Sequence, residues 1–146
     1  MPTLFVDYQT GTGEGTNRHL DALIHQPDGQ YRQVHVTIAE EEGAPAALDA
    51  IGFADADRSG TKALVTIFSW DQNHHSLVSG TLYEVRLFAA PRAGQTDLIP
   101  MKISAHFDGG CECWHDDGGP QQRPYRTHYR FKVIAAVKSE LKRMGY

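Results

Sequence analysis

Five short runs of β-branched, aromatic and aliphatic residues constrain the fold of this 146-residue chain more than any other feature. They span residues 3–8, 31–39, 63–70, 82–89 and 98–107. Runs of this length, bounded by Gly, Pro, Asn and Asp, are typical of β-strands. The last three have no helical pattern between them, which favours an antiparallel meander. The sequence therefore predicts an α+β fold built on a mainly antiparallel sheet of about five strands.

The clearest helical pattern lies at the carboxyl terminus, where apolar residues recur at helical spacing and cations occupy the last turns. We expect this amphipathic helix to pack across one face of the sheet. Its inward side chains would be Phe131, Ile134, Val137 and Leu141. Two shorter helices are predicted at residues 17–25 and 45–51, because the first is followed by Pro-Asp-Gly and the second begins with proline and precedes glycine.

Length and composition fit one globular domain spanning residues 1–146. Hydrophobic residues make up 40% of the chain and charged residues 22%, so one core can form. No stretch approaches the roughly 20 apolar residues that cross a bilayer. The amino terminus also lacks the basic start and long apolar run of a signal peptide. These features favour a cytoplasmic protein with no membrane association.

Charge is distributed unevenly along the chain. Residues 1–122 carry 17 acids and seven bases, a net charge of −10, whereas the last 24 residues carry seven bases and one acid. A basic tail can bind nucleic acid. A basic helix can equally dock on its own acidic body, and we favour this interpretation because the body would repel phosphates. The distribution argues against nucleic acid and favours a protein partner with a basic surface.

Residues 106–117 contain the densest group of metal-ligand residue types. Two imidazoles, two thiols and several carboxylates fall within this segment, and paired glycines would let the backbone fold so that they converge. One residue separates the two cysteines, a spacing that would strain a disulfide and that better suits a metal site or a free dithiol. Because thiolate and imidazole suit zinc, the predicted ligands are His106, Cys111, Cys113 and His115. A plain polar loop explains the same residues.

A second candidate site begins at His35-Val36-Thr37-Ile38, which resembles half of the paired signature of two-histidine phosphoesterases. The resemblance implies that two histidines act as acid and base around a phosphodiester while hydroxyls bind its oxygens. His35 and His106 are then the candidate catalytic residues. The candidate substrate-binding residues are Thr37, Arg123 and Arg126. A half-exposed strand histidine beside a β-favouring threonine explains the same four residues.

Two classes of function follow from these patterns. The first is a small hydrolase or phosphodiesterase that uses histidine chemistry, with or without zinc, on a phosphate-bearing substrate such as a nucleotide. The second is a non-catalytic protein-binding protein, such as an inhibitor, immunity or adaptor protein. In that case residues 106–117 form a structural zinc knuckle or a plain loop. A nucleic-acid-binding module ranks last because of the acidic body.

Overall fold

The computed structural model describes residues 3–11, 15–74, 77–116 and 118–146. The first sheet has three antiparallel strands in chain order: β1 (Thr3–Thr10), β2 (Asn17–His25) and β3 (Tyr31–Ala39). The pairing of β2 with β3 shifts by one residue beside Leu20, so that Leu20 pairs with Thr37 and Asp21 with His35. This shift is a bulge, which re-aims the side chains on either side of it.

The second sheet has five strands, also antiparallel and in chain order. They are β4 (Ala47–Ala54), β5 (Ala63–His74), β6 (Val78–Phe88), β7 (Gly110–His115) and β8 (Tyr125–Thr127). A 3-10 helix, Lys102–Phe107, lies between β6 and β7, and the helix α1, Ile134–Arg143, follows β8. Within the described residues, no helix has the length and apolarity to cross a bilayer.

The two sheets pack face to face through alternate residues of their strands. Leu20 and Val36 of the first sheet are buried against Leu64 and Phe88 of the second. Phe5 of β1 meets Phe53 of β4, with ring centroids 6.2 Å apart. The two sheets therefore form a sandwich with one apolar layer between them.

The other face of the second sheet is covered by the 3-10 helix and α1. Phe131, Val137 and Leu141 are buried there with Phe107, and Ile134 packs against them. The contact between α1 and β4 is close at Gly52, where a Cβ would lie 2.6 Å from Ile134 Cγ2. The predicted packing of the carboxyl-terminal helix on one sheet face is confirmed.

Four predicted strands are confirmed, and three other predicted elements are wrong. Residues 17–25 form β2 and residues 47–54 form β4, although both stretches were predicted to contain helices. β2 pairs with β1 on one side and β3 on the other, and β4 pairs with β5. The hydrogen bonds and packing of these pairs outweigh the weak local helix propensity. The strand predicted at residues 98–107 is replaced by an isolated bridge at Pro100 and the 3-10 helix. Beside β6 lies β7, which comes from the segment that was expected to form a metal site or a polar loop.

Candidate functional site

The two cysteines face each other on β7. The Sγ atoms of Cys111 and Cys113 are within disulfide contact, and their Cα atoms are 5.1 Å apart. Of the two alternatives that this spacing was expected to favour, a metal site or a free dithiol, the free dithiol is wrong, because neither cysteine is free. Sulfurs bonded to each other do not supply the thiolates that a zinc site requires.

His106 lies in the 3-10 helix and contacts α1. Its Nε2 is 3.0 Å from Oε1 of Glu140, which also accepts hydrogen bonds from Arg143 and Arg130. Glu140 is only 2% exposed. Hydrogen bonds from Arg143 and His106, with Arg130 nearby, outweigh the burial and lower the pKa of Glu140 to about 2. His106 therefore belongs to an ion-pair network that fastens the carboxyl-terminal helix.

His115 is the last residue of β7, and its side chain contacts β8. Its Nε2 is 2.9 Å from Oγ1 of Thr127, and its ring stacks on Tyr125 with centroids 4.6 Å apart. Across the described ranges, no group of three or more His, Cys, Asp and Glu side chains is arranged to hold a metal ion. The structure thus does not assemble the predicted zinc ligands into one site, and Asp117 lies outside the described residues.

His35 occupies a different surface, the outer face of the first sheet. Its Nδ1 is 2.7 Å from Oδ1 of Asp21, the residue opposite it on β2. Oδ2 of Asp21 accepts hydrogen bonds from the Tyr8 hydroxyl at 3.0 Å and from Gln33 Nε2 at 2.9 Å. The Asp21 side chain is 4% exposed and that of His35 is 30% exposed. A buried carboxylate therefore orients an accessible imidazole.

The electrostatics of this network favour an ionised Asp21. Burial opposes its ionisation, but hydrogen bonds from His35, Gln33 and Tyr8 outweigh that effect and hold the pKa of Asp21 below its ordinary value. The hydrogen bond between Tyr8 and Asp21 also raises the pKa of the Tyr8 phenol. Since Nδ1 of His35 faces a carboxylate, Nε2 is left toward solvent, and among the described residues it has no hydrogen-bond partner.

A second histidine of this face was not predicted as a site residue. His19 stacks on Tyr8, with ring centroids 4.8 Å apart, and its ring centroid is 6.1 Å from that of His35. Its Nε2 is 2.6 Å from Oγ1 of Thr10. Sequence reasoning missed His19 because residues 17–25 were predicted to be helical. Alternation of His19, Asp21 and Leu23 with buried Leu20 and Ala22 is the signal that identifies the outer face.

The predicted substrate-binding residues do not join His35. The bulge turns Thr37 toward the second sheet, where its Oγ1 accepts a hydrogen bond from Arg86 at 2.9 Å. Arg126 belongs to β8, with its guanidinium carbon 5.9 Å from the ring centroid of Trp114. Arg123 is exposed in the segment before β8. Of the predicted site residues, only His35 takes part in the polar network of the outer face.

The outer face also exposes large apolar and aromatic side chains. Leu4, Val6, Tyr8 and Tyr31 are 51%, 40%, 37% and 45% exposed. Strands β1, β2 and β3 contain four charged residues, Asp7, Arg18, Asp21 and Arg32, and of these only the buried Asp21 belongs to the outer face. The solvent-facing side of an antiparallel sheet normally carries polar and charged residues.

No family model, curated protein or solved structure matches this chain. The class that the fold defines is a two-sheet antiparallel sandwich with a helix on its second sheet. The candidate site is the outer face of the three-stranded sheet, with Asp21 and His35 at its centre.

Proposed function

We propose that the chain is a protein-binding protein that docks through the outer face of its first sheet. The observation that carries the proposal is the exposure of Leu4, Val6, Tyr8 and Tyr31 on a sheet face without lysine, arginine or glutamate. Contiguous exposed apolar patches on such proteins mark interaction sites. Tyrosine is enriched, and lysine and glutamate are depleted, at the centres of protein interfaces.

The charge around this face selects the partner. Residues 1–46 contain seven acids and two bases, a net charge of −5. Neither base lies on the outer face. Arg18 donates a hydrogen bond to the carbonyl of Ala46, and Arg32 donates one to the carbonyl of Gln95. The triplet Glu40-Glu41-Glu42 and Asp28 are exposed at the ends of the strands. The complementary partner is a protein surface with an apolar centre flanked by lysine and arginine, whereas a second copy would place acids against acids.

The hydrogen-bond network on this face prepares it for binding. Asp21 holds Tyr8, Gln33 and His35 in fixed positions before any partner arrives. Side chains that are already ordered lose less conformational entropy on association. Rigid aromatic side chains with polar tips are the residue types that binding surfaces use as anchors.

Selection from a random peptide library displayed on phage tests this proposal. We expect the full chain to enrich peptides that combine apolar residues with lysine or arginine. Synthetic copies of those peptides should bind at least about tenfold more weakly to the Val6→Lys variant, because the substitution buries a charge in the interface, at the position that pairs with Asp21. Ile99→Lys is the matched control, since Ile99 is 76% exposed outside this sheet.

Equal binding of the selected peptides to the Val6→Lys variant would contradict the proposal, as would enrichment of acidic peptides. Light scattering gives an independent check. A stable dimer of the wild-type chain that Val6→Lys dissociates would show that the face binds a second copy instead.

The Asp21–His35 pair supports a second candidate function, acid–base hydrolysis of a phosphodiester. Asp21 fixes the orientation of His35, and His19 replaces His106 as the second histidine at a ring distance of 6.1 Å. A carboxylate that orients an imidazole is a recurring arrangement in acid–base catalysis. We rank this function second because no lysine or arginine of β1, β2 or β3 is on the outer face to bind phosphate.

Hydrolysis of bis(p-nitrophenyl) phosphate checks the second candidate. Its expected result is turnover that falls by about 10²-fold or more in His35→Gln, the range for removing a general base. His106→Gln is the control, since His106 contacts Glu140 and not the outer face. Turnover that survives His35→Gln, or none in the wild-type protein, would exclude this candidate.

A further inference from the structure

A cavity of about 340 Å³ opens between the two sheets, at the end where β1 meets β4. Its inner wall is aliphatic, with Val34 from the first sheet, Leu64 from the second and Leu98 from the segment after β6. Phe5 and Phe53 flank it. The cavity is partly open to solvent, so its aliphatic wall is accessible to a small molecule.

The cavity exists because small residues occupy positions where larger side chains would fill the space. Ala22 contributes from β2, and Ala89 and Ala90 contribute from the segment that leaves β6. That segment is then held along the edge of β3, where Leu98 donates to the carbonyl of His35 at 2.8 Å. The wall is therefore anchored by backbone hydrogen bonds, and Leu98 packs against the cluster that contains Leu64.

Two cations are part of the lining. Arg32 donates to the carbonyl of Gln95, and among the described residues no carboxylate lies within 4.0 Å of its guanidinium. Lys62 pairs with Asp55 at 2.7 Å, but both side chains are about half exposed, at 60% and 46%. Exposed ion pairs of this kind are weak because water screens them. Most of the five N–H donors of Arg32 are therefore available to bind an anion beside the apolar wall.

We propose that this cavity binds a small amphipathic anion, whose apolar chain fills the space between the sheets and whose carboxylate or phosphate pairs with Arg32. The volume is at the lower end of the range for small-molecule sites, about 300–1,000 Å³. Arginine recognises both headgroups through paired hydrogen bonds, so the headgroup is left to the experiment. The site is separate from the outer face, because Val34 and Arg32 alternate with the outward-facing Gln33 and His35 on β3.

Calorimetric titration with three ligands of equal chain length tests the proposal: decanoate, decyl phosphate and decanol, each below its micelle concentration. We expect saturable binding of at least one anion and weaker binding of the neutral alcohol. Arg32→Gln should weaken binding of the anion by about tenfold, the cost of a charge-assisted hydrogen bond, and leave decanol unchanged. Arg92→Gln is the matched control, because Arg92 is outside this cavity and the net charge changes equally.

Filling the cavity provides the second variant. Ala90 is exposed at the cavity wall, so Ala90→Trp should occupy the opening and abolish binding while the unfolding temperature stays close to that of the wild type. Three results would overturn the proposal: no saturable binding of either anion, equal affinities for decanol and the anions, or anion binding that Arg32→Gln and Ala90→Trp leave intact. The ratio of the two anion affinities identifies the headgroup.

Discussion

Replacing Leu141 with alanine is expected to lower the free energy of unfolding by about 2–4 kcal/mol, the cost of truncating a buried aliphatic side chain. Leu141 is 1% exposed and packs with Val137, Phe131 and Phe107 between α1 and the second sheet. Urea denaturation followed by circular dichroism measures the effect. The slope of the transition should stay constant if only stability changes.

Ile99→Ala is the control for this prediction, because Ile99 is 76% exposed. A change within about 0.5 kcal/mol is expected there, as for other surface substitutions. If Leu141→Ala and Ile99→Ala had equal effects, the packing of α1 on the second sheet would be disproved.

The second large effect is expected for Asp21→Asn. Both carboxylate oxygens of Asp21 accept hydrogen bonds from donors on Tyr8, Gln33 and His35. An asparagine amide would turn its own N–H groups toward one of those donors and leave a buried polar group unpaired. We expect a loss of about 1–3 kcal/mol in the free energy of unfolding at neutral pH. Thermal or urea unfolding of both proteins measures the difference.

The pH dependence of that difference identifies its cause. The pKa of Asp21 in the folded protein is below its ordinary value of 3.8. The ionised carboxylate therefore adds stability that is fully present above pH 3.8 and is lost as the pH falls through the lower folded-state pKa. The gap between wild type and Asp21→Asn should shrink over that acidic range. Asp71→Asn serves as the control, because Asp71 is exposed. If the difference in unfolding free energy between wild type and Asp21→Asn did not change in acid, this role for Asp21 would be refuted.

The sequence predicts the elements whose pattern is strong over their whole length. Residues 131–141 have the spacing of a helix packed on one side, and the helix forms from Ile134, while Phe131 is buried just before it. Residues 31–36 alternate cleanly and form a strand as expected. β2 was missed because Leu20, Ala22, Leu23 and Ile24 also fit a helical spacing. Strand pairing decides such cases, and it depends on partners that are distant in the sequence.

The candidate site was predicted only in part, for a similar reason. His35 could be found because it lies on the polar side of an alternating strand. Its partner Asp21 and its neighbour His19 are on β2, so the wrong assignment of that segment concealed both. The group at residues 106–117 looked like a metal site because its members are close in sequence. In the fold, however, the imidazoles reach separate neighbours: His106 contacts Glu140 from the 3-10 helix, and His115 contacts Thr127 from β7. The sulfurs of the two cysteines contact each other.

The order of the strands determines how the two sheets are connected. Each sheet is built from consecutive strands, so within the described ranges the chain passes from the strands of one sheet to those of the other once, at residues 40–46. The separation of the sheets is therefore set by the packing of Leu20 and Val36 against Leu64 and Phe88, together with the backbone hydrogen bonds that join His35 to residues 96 and 98. A substitution that changes the volume of this layer should therefore also change the width of the neighbouring cavity, because Leu64 belongs to both.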